Sequence, residues 1–409
     1  MNAIKCQYFL SFAVVGCVLP YLSPFLRHRG LDDAQIGYTI GFASALLMLT
    51  PVCVTLLADT ILAGRRLLAV VFVLTGGFLA ALWPAQGFWP LLMLIGGFEL
   101  CFAPAMPVQD GMNFTIQKRR REAGLPVQPY HHVRVWGTIG FMAPSVMLFV
   151  LFRGGLPIES ILPAGMACCL LGVICSFALP DTRARRGGEP EKPGGRQSLP
   201  TFAAARTICR PPVLVYCVAM LLIHMAVALF YSFFPLYLTE LIGIDKQWVG
   251  LIVCVGVGIE LVFILGFGVL RSRLGLKALV LLGIASTVLR ISLLAAVPTL
   301  ATALITQALH GPLVLMLYVT PPMYLNRHAG DRFRSSIQGL YVMAVAGGGR
   351  VIGNVAGGII VDRFGLITAF ACAATLCVPA GLLVLMAFED RAPLSTSDPA
   401  GGGETFLEY

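Results

Sequence analysis

The chain has 409 residues, of which 57% are hydrophobic and only 12% charged, with a formal net charge of +9 and a mean hydropathy of +0.84. A soluble globular domain carries about 25% charged residues, so this composition excludes a water-soluble fold and makes lipid the solvent for most of the surface. The positive balance would suit nucleic acid, but the positions of the basic residues assign it to membrane topology.

A helix needs about 20 apolar residues to cross a bilayer. Twelve such runs occur, at about 4–26, 36–58, 67–85, 89–112, 132–152, 161–180, 211–239, 247–270, 277–297, 299–325, 338–361 and 366–388. The first carries one early lysine, Lys5, and no small-residue cleavage site, so it reads as a span rather than a removed signal peptide. Cys101, Cys168, Cys169, Cys175, Cys217, Cys254, Cys372 and Cys377 lie within these runs and read as free thiols that pack well. Residues 181–210, rich in Pro, Gly and Arg, part the twelve into six and six and are too short and polar to be more than a linker. The prediction is an all-α polytopic membrane protein with a six-helix bundle at 1–180, a cytoplasmic linker at 181–210, a second bundle at 211–388 and a cytoplasmic tail at 389–409.

Lysine and arginine set the orientation. With the first residue cytoplasmic, 21 of the 29 basic residues fall on the cytoplasmic side, and five, Arg27, Arg29, Arg153, Lys246 and Arg363, fall on the other. Both termini are therefore expected in the cytoplasm, in an inner membrane. The two halves also repeat each other. Gly30, Asp32 and Gly37 recur 213 positions later as Gly243, Asp245 and Gly250, and at the same offset Asp59 meets Ser272. A duplicated six-helix unit places a binding cavity between its copies, near the bilayer midplane.

The loop Gly268-Val-Leu-Arg-Ser272-Arg273-Leu-Gly275-Leu-Lys277 resembles the major facilitator signature G-x-x-x-D-R-x-G-x-K, with serine in the aspartate place. Asp59-Thr-Ile-Leu-Ala-Gly64-Arg65-Arg66 is similar to the same signature lengthened by two residues. The resemblance implies a cytoplasmic gate steadied by Asp59, Arg65, Arg66 and Arg273. Pro107-Val-Gln-Asp110, the run Val133-Arg134-Val-Trp136-Gly137-Thr138-Ile-Gly140-Phe141, and the stretch from Glu260 through Arg290 to His310 resemble the branch of phenylpropionate permeases, nucleoside:proton symporters and lactose permease. That implies substrate binding by Arg134 and Glu260, with Asp110, Arg290 and His310 in the substrate and proton-coupling network. Two departures stand out. Leu313 replaces the titrating glutamate of lactose permease, and Leu315 the helix-10 aspartate of the nucleoside symporters.

Glu99, Asp110, Arg134, Glu260, Arg290 and Arg350 lie inside predicted spans or near their ends, three acids against three arginines. Each charge at a helix centre costs roughly 2.5–3.5 kcal/mol on insertion scales, so it faces the protein interior and finds a partner. Arg134 and Asp110 read either as ligands or as one structural ion pair. Helix 9 packs outside the cavity in this family, so Arg290 is expected to neutralise a carboxylate or His310. His224 reads as a packing residue, and Trp136, Thr138 and Phe141 as candidates to line or stack on substrate. The spacing of Gly349, Gly353 and Gly357 marks a close helix contact, with Arg350 turned from it toward the cavity. With the helix-10 acid missing, Glu99 and Glu260 are the proton-carrying candidates, helped by Arg350, since burial can bring a carboxylate into a titrating range.

No phosphate-binding loop, zinc spacing or nucleophile elbow occurs, so neither an enzyme nor an ATP-driven pump is expected, and no cofactor or metal. The function expected is proton-coupled uptake of a small hydroxylated solute, a sugar or nucleoside, by a monomer working in the lipid bilayer. Uptake of an aromatic carboxylate, efflux of drugs or metabolites, and uniport are the alternatives of the same fold. A membrane receptor or scaffold is the alternative of another class; mid-membrane charges count against it.

Overall fold

The computed structural model describes residues 2–48, 64–128, 130–180, 205–329 and 334–388. Ten of its helices are long and apolar enough to cross a membrane. They and their neighbours give α1 (Asn2–His28), α2 (Asp33–Leu47), α3 (Gly64–Leu82), α4 (Phe88–Glu122), α5 (Tyr130–Arg153), α6 (Ile161–Phe177) and α7 (Pro211–Leu241). In the second half come α8 (Lys246–Leu265, continued through 267–274), α9 (276–296), α10 (Leu300–His328), α11 (336–364) and α12 (366–386). Gly275 and Gly365 separate the last pairs. Their φ values of 76° and 82° lie in the left-handed region that glycine enters without penalty, so two uninterrupted apolar stretches each fold into two helices.

The predicted twelve spans thus stand as helices in two six-helix bundles, with boundary shifts. The second span, set at 36–58, is described only to residue 48. The fourth runs on to Glu122 rather than ending at 112, because Lys118–Arg121 carry long stems that continue a helix after the apolar face ends. Among the described residues every cysteine is free, as the sequence predicts. Asp59 and residues 181–204 lie outside the described residues.

The repeat at offset 213 has a physical content. Gly30 and Gly243 end α1 and α7 with φ of 85° and 77°. Asp32 and Asp245 stand at the N-caps of α2 and α8, and Asp32 accepts from Gln35 N in a capping box. Gly37 and Gly250 are where the bundles touch. A Cβ on Gly37 would fall 2.5 Å from Asn354 O on α11, and one on Gly250 would fall 2.2 Å from the Tyr21 hydroxyl on α1.

The glycine face of α11 packs on α7 as its spacing predicts. Built Cβ atoms on Gly349, Gly353 and Gly357 would meet Leu221 and His224, Met225, and Leu229 respectively, with Gly353 only 2.2 Å from Met225 O. Backbone cannot retreat as a side chain can, and overpacking costs about 1–3 kcal/mol. Gly353→Ala is therefore expected to lower the melting temperature of the purified protein measurably. Gly77→Ala on α3, with open space around it, should leave it unchanged.

Contacts between the bundles run along α2 with α11, α5 with α8, and α1 with α7. Many sit at one end of the molecule, the face carrying residues 28–33 and 242–246, termed here the loop-1 face. There Arg27 Nε donates to Glu240 Oε1 at 2.9 Å across the bundles. Ser23 Oγ donates to Ser232 O, Ser232 Oγ to Asn354 Oδ1 at 2.7 Å, and Asn354 Nδ2 to Ser44 Oγ at 3.2 Å. This face is closed.

Candidate functional site

Between the bundles lies a cleft of three adjoining chambers. The central one, about 410 Å³, is walled by Phe12, Arg134, Thr138 and Phe141 of the first bundle and by Tyr231, Glu260, Arg290, Gln307 and His310 of the second. Leu19, Tyr231, Ser232 and Tyr318 are shared with a chamber of about 300 Å³. That one in turn shares Glu99, His224, Tyr318 and Arg350 with a third of about 460 Å³. The third reaches Pro321, Pro322 and Gln338, toward the terminal face, opposite the closed one.

One wall is a hydrogen-bonded row. Arg290, 2% exposed, donates through NH2 to Gln307 Oε1 at 2.8 Å and through NH1 to His310 Nδ1 at 3.0 Å. A guanidinium can only donate, so Nδ1 accepts and the ring proton sits on Nε2. That nitrogen faces Glu260 Oε2 at 3.4 Å. The Tyr231 hydroxyl lies 2.9 Å from the same Nδ1, and the rings of Phe230, Phe234 and Tyr231 surround the guanidinium at 4.9 to 6.0 Å. Glu260, with 27% of its side chain exposed, is the end of the row that opens to the cavity. Gly256 on α8 makes the approach possible, since a Cβ there would fall 2.5 Å from Gln307 Oε1. Arg290 thus meets His310, the partner expected of it, and it is the one residue of α9 in the lining of the central chamber. Its long side chain reaches past the helix surface and lines the chamber.

The opposite wall is built around Arg134. Its guanidinium lies 4.1 Å from the Phe12 ring centroid and 6.0 Å from that of Tyr8. It folds over its own helix at Gly137, where a Cβ would come within 2.6 Å of NH1. Gly140 admits the Phe9 carbonyl of α1, 2.1 Å from a built Cβ. The glycines of the α5 motif thus serve the arginine's rotamer and the α1–α5 contact. Asp110 is not its ion-pair partner: the carboxylate accepts from the Tyr8 hydroxyl and from the Tyr130 hydroxyl at 2.9 Å. The ion-pair reading of Asp110 and Arg134 is corrected accordingly. Arg134 keeps its charge for the cavity.

Glu99 and Arg350 line the third chamber together, and among the described residues no cation lies within ion-pair range of Glu99. His224 is a buried packing residue, 3% exposed, with Nε2 3.4 Å from the Tyr341 hydroxyl, and it borders the same chamber. The remaining candidates separate. Thr138 and Phe141 line the central chamber. Trp136 is 40% exposed and is not among the cavity residues, because it stands on another face of α5. Arg65 and Arg66 open α3, and Arg273 stands exposed before the Gly275 turn, remote from the cleft. Lys277 Nζ caps α12 at Leu385 O, 2.9 Å away.

Sequence reading missed Phe12, Tyr231, Tyr318 and Gln307. Gln307 had a signal, an amide three residues before His310 in an apolar span; the aromatic residues had none beyond composition.

The sequence profile of the MFS_1 like family matches residues 1–372. The chain is 26% identical to the putative nucleoside transporter YegT of Escherichia coli (strain K12), covering 88% of this chain and 84% of that one. It is 27% identical to the probable 3-phenylpropionic acid transporter of the same organism, covering 88% and 90%. Among solved structures, a mutant of the nucleoside transporter NupG superposes with a TM-score of 0.83 at 18% identity, over 95% of this chain and 99% of that one.

Proposed function

The chain belongs to the MFS_1 like family, and from that premise we propose that it is a proton-coupled secondary transporter. It takes up a small hydroxylated solute, a nucleoside or sugar, by rocking its two bundles about the central cleft. The observation that carries the reading is the pair of facing walls, Arg134 on one bundle and the Glu260–His310–Arg290 row on the other, in a cleft closed at the loop-1 face. Glu260 accepts from solute hydroxyls, Arg134 and His310 complete the polar contacts, and Phe12, Phe141 and Tyr231 cover an apolar ring. Similarity to a putative nucleoside transporter and a nucleoside permease supports this class of cargo.

Glu99 carries the coupled proton, with Arg350 as the alternative neutralising partner in another gate state. Asp110, tied to Tyr8 and Tyr130, braces the first bundle beneath Arg134, and Asp59, Arg65, Arg66 and Arg273 steady the cytoplasmic gate. The bundles are the domains 1–180 and 211–388, joined by the linker at 181–210, and the protein works as a monomer. The basic-residue balance supports both termini in the cytoplasm of an inner membrane, and on that orientation the conformation is an inward-open one. Exposed native Cys209, just before α7, is then expected to react with a membrane-impermeant maleimide in inside-out vesicles and not in intact cells. Labelling in intact cells would reverse the orientation.

A second reading has its own observation. The guanidinium of Arg134, stacked on Phe12 and not paired with Asp110, suits the carboxylate of an aromatic acid. Calorimetric titration of the purified protein with nucleosides, sugars and aromatic carboxylates separates the readings. Binding of a hydroxylated solute that is weakened by Arg134→Gln and lost with Glu260→Gln supports the first. A carboxylate that binds and is lost with Arg134→Gln supports the second.

A further inference from the structure

At the closed loop-1 face, four charged residues occupy two pairs of equivalent positions in the repeat. Arg27 and Glu240 are 213 residues apart, and so are Asp33 and Lys246, the offset that relates Gly30 to Gly243. The charges are inverted between the copies: cation then anion in the first half, anion then cation in the second. Within the first half, Arg27 NH2 bonds Asp33 around the turn at Gly30. Glu240 and Lys246 flank the matching turn at Gly243 yet do not bond each other. Each reaches across the bundles instead. Glu240 takes Arg27 Nε at 2.9 Å, and Lys246 Nζ rests 5.1 Å from the centroid of Phe152 on α5. All of these groups but Asp33 border one vestibule of about 610 Å³.

We propose that these four residues form a partner-exchange latch on the loop-1 face. With the face closed, Glu240 and Lys246 are held by the first bundle. When it opens, Arg27 keeps Asp33, and Glu240 turns to Lys246 across its own glycine turn, as Arg27 already does with Asp33. Neither state strands a bare charge, so the latch selects the closed face without making opening costly. The inference rests on the two bundles moving against each other.

Native Cys254 reports the opening. It is buried on α8, with Sγ 3.9 Å from Met142 O on α5, a contact that parts when the face opens. The experiment follows its modification by a water-soluble maleimide in detergent-solubilised full-length protein, located by peptide mass mapping and normalised to exposed Cys209. Arg27→Gln removes the closed-state pair while Glu240 keeps Lys246 in the open state, and should raise the Cys254 rate about three- to five-fold, the worth of a partly exposed ion pair. Glu240→Gln removes a pair from both states and should stay within about two-fold of wild type. Asp33→Asn and Lys246→Gln leave a bare charge only in the open state and should lower the rate, by about two-fold. A wild-type rate in Arg27→Gln would overturn the latch. A rate at or above wild type in both Asp33→Asn and Lys246→Gln would overturn the exchange and leave a static brace. Should Arg27→Gln fail to fold, Arg27→Met carries the same predicted sign, and Asp33→Asn and Lys246→Gln stand in for each other. No solute enters the readout, so an error in the assigned cargo leaves the result unaffected.

Discussion

Glu260→Gln is expected to weaken solute binding about ten- to a hundred-fold and to abolish measurable uptake. Hydrogen bonds to a charged group contribute about 1.5–3 kcal/mol, and each 1.4 kcal/mol is a factor of about ten in affinity. Glu260 is the cavity end of the row that runs through His310 and Arg290 to Gln307. An amide there keeps the volume but removes the charge that the Nε2–H of His310 faces, and it presents one acceptor in place of a carboxylate. Direct titration calorimetry measures the loss. Binding within about three-fold of wild type would remove Glu260 from the solute contacts and leave the row as scaffolding.

Glu99→Gln is expected to separate exchange from accumulation. Glu99 borders the third chamber with Arg350 and His224, away from the Glu260 row and without a cation in ion-pair range among the described residues. Such a carboxylate can be neutralised by a proton or by Arg350, and coupling requires that the choice differ between gate states. An amide needs neither. The variant should therefore exchange labelled solute across proteoliposome membranes at close to the wild-type rate, while losing about ten-fold or more of its accumulation under an imposed pH gradient. Full pH-driven accumulation would make Glu99 structural and leave Glu260 as the proton carrier.

Helix number, the six-plus-six division and the repeated Gly30–Asp32–Gly37 and Gly243–Asp245–Gly250 loops were legible because bilayer thickness and left-handed turns leave few residue choices. The same holds for the small-residue face at Gly349, Gly353 and Gly357 of α11, packed on α7. Partnerships were not legible. Arg134 and Asp110 are near in sequence and opposite in charge, yet two tyrosine hydroxyls took the carboxylate, and nothing in a string of apolar residues marks Tyr8 as the one that would. Arg290 entered the cavity because an arginine stem spans more than a helix radius, which helix-level reasoning ignores. The charge inversion of Arg27 and Asp33 against Glu240 and Lys246 was present in the sequence at the known offset. Its meaning lies in the pairing of Glu240 with Arg27 rather than with its own neighbour, which the sequence does not encode.

The most direct measurement is uptake of labelled nucleosides and sugars by proteoliposomes containing the purified protein, with the interior alkaline or with pH equal on both sides. The account predicts accumulation of at least one hydroxylated solute above its external concentration only when the gradient is present, and no accumulation with Glu260→Gln. Equilibration to the same level with and without the gradient would contradict proton coupling, and absence of uptake across the whole panel would contradict the assigned cargo.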